Sequence, residues 1–218
     1  MLCAARWIRA TLALVVALGP APCLAEINAA SGSNTAYAHA MRAINPRLHE
    51  TQSRIYAATL LSSAARMHLD PRLMMAVVTV ESGWNTRALS PDGAEGLGQF
   101  KPETARELGI DTWSARSNLR GVAVYLHQLL GMFKSSRNAM RAAIASYNAG
   151  PYAVKAAGGA PPAGEPRRYV ARVFALWHHF KARLGLHPTV IAVAAALGPL
   201  TPQRVMRDQA AYWGAPNQ

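Results

Sequence analysis

Apolar and polar positions alternate along the chain with a mostly helical period, and the sharpest block runs from Asp70 to Gly83. There, Leu73-Met74-Met75-Ala76-Val77-Val78 forms a continuous apolar run followed by Thr79, Val80 and Glu81. Asp70 reads as an N-cap, Pro71 as the first helical residue and Gly83 as the stop. This predicts a short buried helix with a carboxylate in its last turn. Upstream, Thr51 to His68 reads as a helix whose buried stripe is Ile55, Leu60, Leu61 and Met67. Downstream, Pro102 to Leu108 reads as a helix closed by Gly109. Ser117 is the expected cap of a helix through Phe133, carrying Leu119, Val122, Val124, Tyr125, Leu129 and Leu130. Asn138 to Asn148 is a further helix, stopped by Gly150, and Pro151 begins a short turn of helix. A long helix from Pro166 to Leu184 carries Tyr169, Val170, Val173, Phe174 and Trp177.

Between these helices the pattern is broken by turn formers. Asn85 to Lys101, with Ser90-Pro91-Asp92-Gly93, reads as a loop or small hairpin. Ala157 to Gly164 reads as a linker, and Ser31-Gly32-Ser33-Asn34 as a flexible start. Alternating strands are scarce, so the expected class is mainly α with a small β element.

The first 25 residues have the pattern of an export signal: Arg6 and Arg9, an apolar stretch from Thr11 to Gly19, then Cys23-Leu24-Ala25. This divides the chain into a signal (1–25), a lead-in (26–50), one globular domain (51–185) and a helical extension (186–218). In the extension, VIAVAAAL (190–197) is too short for a membrane span, and Thr201-Pro202 opens a helix with Val205, Met206, Ala210 and Trp213 on one face. No mature transmembrane helix is expected. Both cysteines, Cys3 and Cys23, lie in the signal, so disulfide and thiol chemistry are not expected after its removal. The net charge of +12 would suit nucleic acid. Export argues against that partner and for an anionic envelope polymer or lipid surface.

Glu81 is the candidate for chemistry. An apolar environment disfavours its charged form, and so does the negative end of a helix dipole. Both effects keep a carboxyl protonated near neutral pH, as a general acid requires. The plain alternative is a helix-end glutamate that swings out to solvent.

The wider constellation decides between them. Glu81-Ser82-Gly83-Trp84-Asn85, Ser90-Pro91-Asp92-Gly93-Ala94, Gly96-Leu97-Gly98-Gln99 and Pro102-Glu103-Thr104-Ala105 resemble, in order and spacing, the soluble lytic transglycosylase domain. So do Ala145-Ser146-Tyr147-Asn148-Ala149-Gly150-Pro151 and Glu165-Pro166-Arg167-Arg168-Tyr169-Val170. The resemblance covers about Leu60 to Lys181. It implies a lysozyme-like α+β fold dominated by helices, with a glycan cleft. It also implies cleavage of the MurNAc-β-1,4-GlcNAc bond of peptidoglycan, leaving a 1,6-anhydroMurNAc end. Glu81 matches the catalytic glutamate, acting as acid and then as base.

By the same resemblance Ser90, Gln99, Tyr147, Asn148 and Tyr169 contact substrate or the acid; of the Tyr147–Asn148 pair, Tyr147 is the better candidate for a hydrogen bond to Glu81 or substrate. Each has a plain alternative: a turn residue for Ser90, a loop amide for Gln99, core packing for Tyr147 and Tyr169, a helix cap for Asn148. Trp84 can stack on sugar, but packing is its simpler role. Asp92, Glu95, Glu103 and Glu107 read as solvated acids. The chain departs from the family at Gly98 and Lys101, where methionine is common. Glycine there is expected to remove bulk from the cleft wall, and lysine to add a charge that can meet a peptide carboxylate. Pro166, where threonine is usual, is expected to alter entry to the last helix. No cofactor and no metal site is expected; His178-His179 lacks ligand spacing.

The expected product is a periplasmic monomer acting on glycan strands, with secretion or conjugation machinery as a candidate partner. The alternatives are a hydrolytic muramidase on the same fold and a glycan-binding assembly protein.

Overall fold

The computed structural model describes residues 24–185, with side-chain surroundings from residue 32. The expected signal, apart from its last two residues, and the extension 186–218 lie outside the described residues. Eight helices follow one another among those described: α1 Leu24–Ile44, α2 Glu50–Arg66, α3 Pro71–Ser82, α4 Pro102–Glu107, α5 Ala115–Met132, α6 Ala139–Ala149, α7 Pro151–Ala156 and α8 Glu165–Arg183. The mainly helical expectation holds. The only strand-like pairings among the described residues are single bridges, Leu89 with Glu95 and Glu95 with Phe100, inside the 85–101 loop.

α3 is the buried centre, packed against α8 and α2. Leu73, Met74, Met75, Ala76, Val77 and Val78 are all fully or almost fully buried. Its ends are fixed locally. Asp70 Oδ1 accepts from the Arg72 amide at 2.9 Å, and Gly83 sits in the left-handed region at φ 54°. α2 bridges α1 and α5, and α6 packs on α5, α7 and α8. No helix among the described residues is long and apolar enough to cross a membrane.

Three expectations need correction. Ser31 to Asn34 is not a flexible start but part of α1, whose Tyr37, Ala38 and Met41 are buried in the core. Burial of these side chains against α2 supplies what the turn-forming residues lack in propensity. Ile55 is exposed; the buried face of α2 is Tyr56, Ala57, Leu60, Leu61 and Ala64, because small alanines let neighbouring helices approach. The cap of α5 is Ser114, whose Oγ accepts from the Ser117 amide. Ser117 Oγ instead accepts from the Asp111 amide at 3.0 Å. Pro166 sits in the first turn of α8, where its missing N–H costs nothing.

Candidate active site

Glu81 stands in the last turn of α3 at the floor of an open cleft of about 410 Å³. The 85–101 loop forms one wall, through Ser90, Asp92 and Gln99. The end of α6 forms the other, through Tyr147 and Asn148. Burial pushes the Glu81 carboxyl from its ordinary 4.5 up to about 7. Two groups oppose that push: the Tyr169 hydroxyl, which donates to Glu81 Oε1 at 2.5 Å, and the positive charge of Arg172. Both come from α8, so the packing of α8 on α3 tunes the acid. The carboxyl does not swing free into solvent.

Here the structure reassigns the two tyrosines. Tyr169, not Tyr147, bonds the acid. It is almost fully buried and stands behind Glu81 rather than in the cleft lining. Tyr147 donates to the Gly98 carbonyl at 2.9 Å and packs its ring against Phe100 and Tyr125. It still lines the cleft. Burial and the Glu81 charge raise both phenols well above their ordinary value, so both remain neutral donors.

The loop wall is built by hydrogen bonds. Ser90 Oγ accepts from the Ala94 amide at 2.9 Å, so its turn role is real and its cleft position comes with it. Gln99 has φ 50°, an uncommon conformation for a side chain with a Cβ. Its Nε2 donates to the Ala88 and Gly96 carbonyls at 3.1 and 3.0 Å, tying two loop segments while the residue faces the cleft. Asn148 is exposed at the cleft margin, and the cap of α6 is Gly150. Trp84 is fully buried, and its Nε1 donates to Thr79 Oγ1, so it packs rather than faces sugar.

Gly98 is a correction too. It does not open the cleft wall: it is buried, and a Cβ there would lie 2.5 Å from Val122 and 2.9 Å from the Tyr147 hydroxyl. Its glycine fits Tyr147 against the loop. Among the four acids read as solvated, Glu95 is half-buried and accepts from Thr112 Oγ1. Asp92 lines the cleft, while Glu103 and Glu107 are exposed and do not. Lys101 lines the cleft and is exposed.

Two supporting residues escaped the sequence reading. Asn118, buried on α5, accepts from the Gly98 amide at 2.7 Å and donates to the Thr112 carbonyl at 2.9 Å, holding the loop to α5. A polar residue in an apolar helical stripe was its only signal. Arg172 carried none beyond its place after Tyr169. No group of three or more potential metal ligands occurs among the described residues.

With this geometry in view, the comparisons agree with one another. The family model described as the transglycosylase SLT domain matches residues 59–170. A transglycosylase of Enterobacteria phage PRD1 is 36% identical over 85 residues, covering 38% of this chain and 32% of that protein. A membrane-bound lytic murein transglycosylase F of Shewanella sp. (strain W3-18-1) is 37% identical over 86 residues, covering 38% and 18%. Among solved structures, the lytic transglycosylase Slt of Pseudomonas aeruginosa, as an inactive glutamate-to-glutamine mutant, superposes with a TM-score of 0.50. It shares 25% identity, over 74% of this chain and 31% of that one. The matched stretch thus spans a third or less of each relative. The family match covers half of this chain, and the chain belongs to the transglycosylase SLT domain family.

Proposed function

We propose that this protein is a peptidoglycan lytic transglycosylase that cleaves the MurNAc-β-1,4-GlcNAc bond, with Glu81 as general acid and then general base. The observation that carries the reading is one carboxyl at the floor of an open cleft, pushed by burial to about pH 7. A group so poised is protonated for a useful fraction of the time at neutral pH and is a competent base once it has given its proton away.

The steps follow from the surroundings. Tyr169 occupies Oε1 as a donor, so the proton of the neutral carboxyl is carried on Oε2. That proton goes to the glycosidic oxygen as the C1–O bond breaks. The Tyr169 hydrogen bond and the Arg172 charge then stabilise the carboxylate left behind. The sugar's own acetamido group stabilises the cationic centre at C1. The carboxylate takes the proton of the C6 hydroxyl, whose oxygen closes on C1 to give the anhydro ring. No water enters the balance. Ser90, Gln99, Tyr147 and Asn148 line the walls where the sugars on either side would be held. The two relatives named as transglycosylases support the reaction class, and the glutamate-to-glutamine mutant of the Slt neighbour, described as inactive, supports an essential glutamate.

One observation favours a second reading. Asp92 lines the same cleft, and a second carboxylate across the scissile bond would suit a hydrolytic muramidase. The product separates the two. Digestion of sacculi in oxygen-18 water is expected to give anhydromuramic ends without label. Labelled reducing ends as the sole product would establish the muramidase instead.

The proposed setting is the periplasm, because the substrate is there and residues 1–25 have the pattern of an export signal. Two uses fit that setting equally: general wall turnover, and local wall opening for a secretion or conjugation apparatus. Co-purification of the exported protein with such an apparatus tests the second.

A further inference from the structure

A second pocket, of about 460 Å³, opens at the far end of α6 from the cleft. Three cations line it, Arg137, Arg141 and Lys155, and no carboxylate does. All three are exposed. None of the three belongs to an ion pair found among the described residues. The Arg141 guanidinium lies over the Phe174 ring, 5.0 Å from its centroid, which fixes its position. Some surface arginines elsewhere do find acids: Glu50 takes Arg54, and Glu165 takes Arg168 and Arg172. The pocket is therefore a place where positive charge is concentrated and left uncompensated.

Its position gives that charge a use. α6 has 11 residues, about 16 Å in length, with the cleft at its end and the pocket at its start. α7 runs back along the same route. It leaves the cleft at Gly150 and delivers Lys155 to the pocket. Between them Tyr152 is 85% exposed, and it stands three residues before Lys155 on the same helical face. An exposed aromatic ring followed by cations suits a polymer that offers sugar faces and then carboxylates.

We propose that this basic pocket is a binding site for the peptide-stem carboxylates of a glycan strand whose sugar backbone lies in the cleft. The inference rests on the substrate proposed above and adds to it a preference for strands that still carry their peptides. Arg137, Arg141 and Lys155 hold the stem carboxylates by charge-assisted hydrogen bonds. Contact there raises the affinity for stem-bearing strands without touching the reacting atoms, and it weakens as salt rises.

The test uses the full chain and the double charge reversal Arg137→Glu with Lys155→Glu, which spares Arg141 and its ring contact. Binding is read by fluorescence anisotropy with soluble glycan strands that keep their stems after an endopeptidase has cut the cross-links, and with the same strands after an amidase has removed the stems. Turnover is read on both substrates. The wild type is expected to bind stem-bearing strands about tenfold more tightly than stripped ones. The reversed variant is expected to lose that difference through KM, with kcat unchanged, and Arg137→Lys with Lys155→Arg to keep it. Equal binding of both substrates by the wild type would overturn the site, as would a variant that retains the preference. If the wild type binds with the expected preference but cleaves nothing, the pocket stands and the enzymatic reading falls. Anionic phospholipid vesicles form the last arm. Binding to them that depends on Arg137 and Lys155, with binding of stem-bearing strands unaffected by the reversal, would assign the pocket to lipid phosphate and refute the stem proposal.

Discussion

α3 carries two carboxylates, one at each end, and the protein treats them oppositely. At the start, Asp70 is clamped by Arg72 through bonds of 2.8 Å to each oxygen, by the Arg72 amide, and by Trp177 Nε1 at 2.9 Å. Burial alone would push its carboxyl up, but these donors overcome it and hold the group below its ordinary value. At the other end, Glu81 receives one hydroxyl and the field of Arg172, and burial wins. The same helix thus has a structural anion and a poised acid. Glu81 is the more deeply buried and has the fewer donors, and the two together make the difference. Asp70 is a joint between α3 and α8; Glu81 depends on that joint being in place, because Tyr169 and Arg172 arrive on α8.

The largest expected break in the comparison is Glu81→Gln, which removes the acid while keeping shape. It should lower the rate on sacculi by about 10² to 10⁴, measured by release of soluble muropeptides. The same variant should be more stable than the wild type, and the sign can be worked out. The unfolded chain ionises Glu81 near 4.5, whereas the folded chain keeps the proton to about 7. As pH rises between those values the wild type loses stability, and the variant does not. Denaturant unfolding should show a gap that opens from about pH 4.5, levels above pH 7, and reaches on the order of 2–4 kcal/mol.

Asp70→Ala should act in the opposite sense. It leaves Arg72 and Trp177 without their acceptor and α3 without its cap, a loss of about 2–4 kcal/mol in the same unfolding assay. Asp70 has a lowered value, so its contribution is present above the ordinary carboxylate range and is lost as pH falls through the folded value. The stability penalty should therefore shrink in acid.

Tyr169→Phe sharpens the comparison further by making Glu81 still poorer in donors. Its carboxyl should rise further, moving the alkaline limb of the pH–rate profile upward. kcat should fall by roughly tenfold, because the carboxylate formed on proton transfer loses a hydrogen bond. Asp92→Asn should do least. With Glu81 acting alone, the rate should change by less than about threefold, as for removal of a group with no part in proton transfer.

The two ends of α3 also mark what sequence could and could not tell. Asp70, Pro71 and Gly83 were legible as cap, first turn and stop because those roles depend on residues within one turn. The apolar run before Glu81 foretold burial and hence the direction of its shift. The clamp on Asp70 was not legible, since Trp177 lies 107 residues away. Nor could sequence say which hydroxyl meets the acid. Tyr147 and Tyr169 sit in equally matched motifs, and the choice is made by how α6 and α8 pack. Gly98 shows the same limit: its need for no side chain comes from Val122 and Tyr147, both remote in sequence. Ser117 was misread as a cap because Ser114 sits one turn earlier with the same chemistry. Ile55 was misread because a stripe rich in alanine can bury either of two neighbouring faces.

The central claim is that Glu81 holds its proton close to neutral pH while Asp70, on the same helix, does not. Carbon-13 NMR of protein labelled at the side-chain carboxyls of glutamate and aspartate, titrated from pH 3 to pH 9, measures both at once. The Glu81 and Asp70 signals are assigned by their loss in Glu81→Gln and Asp70→Ala. The account predicts a Glu81 midpoint near 7 and an Asp70 midpoint below the ordinary aspartate range. A Glu81 midpoint near 4.5 would contradict it.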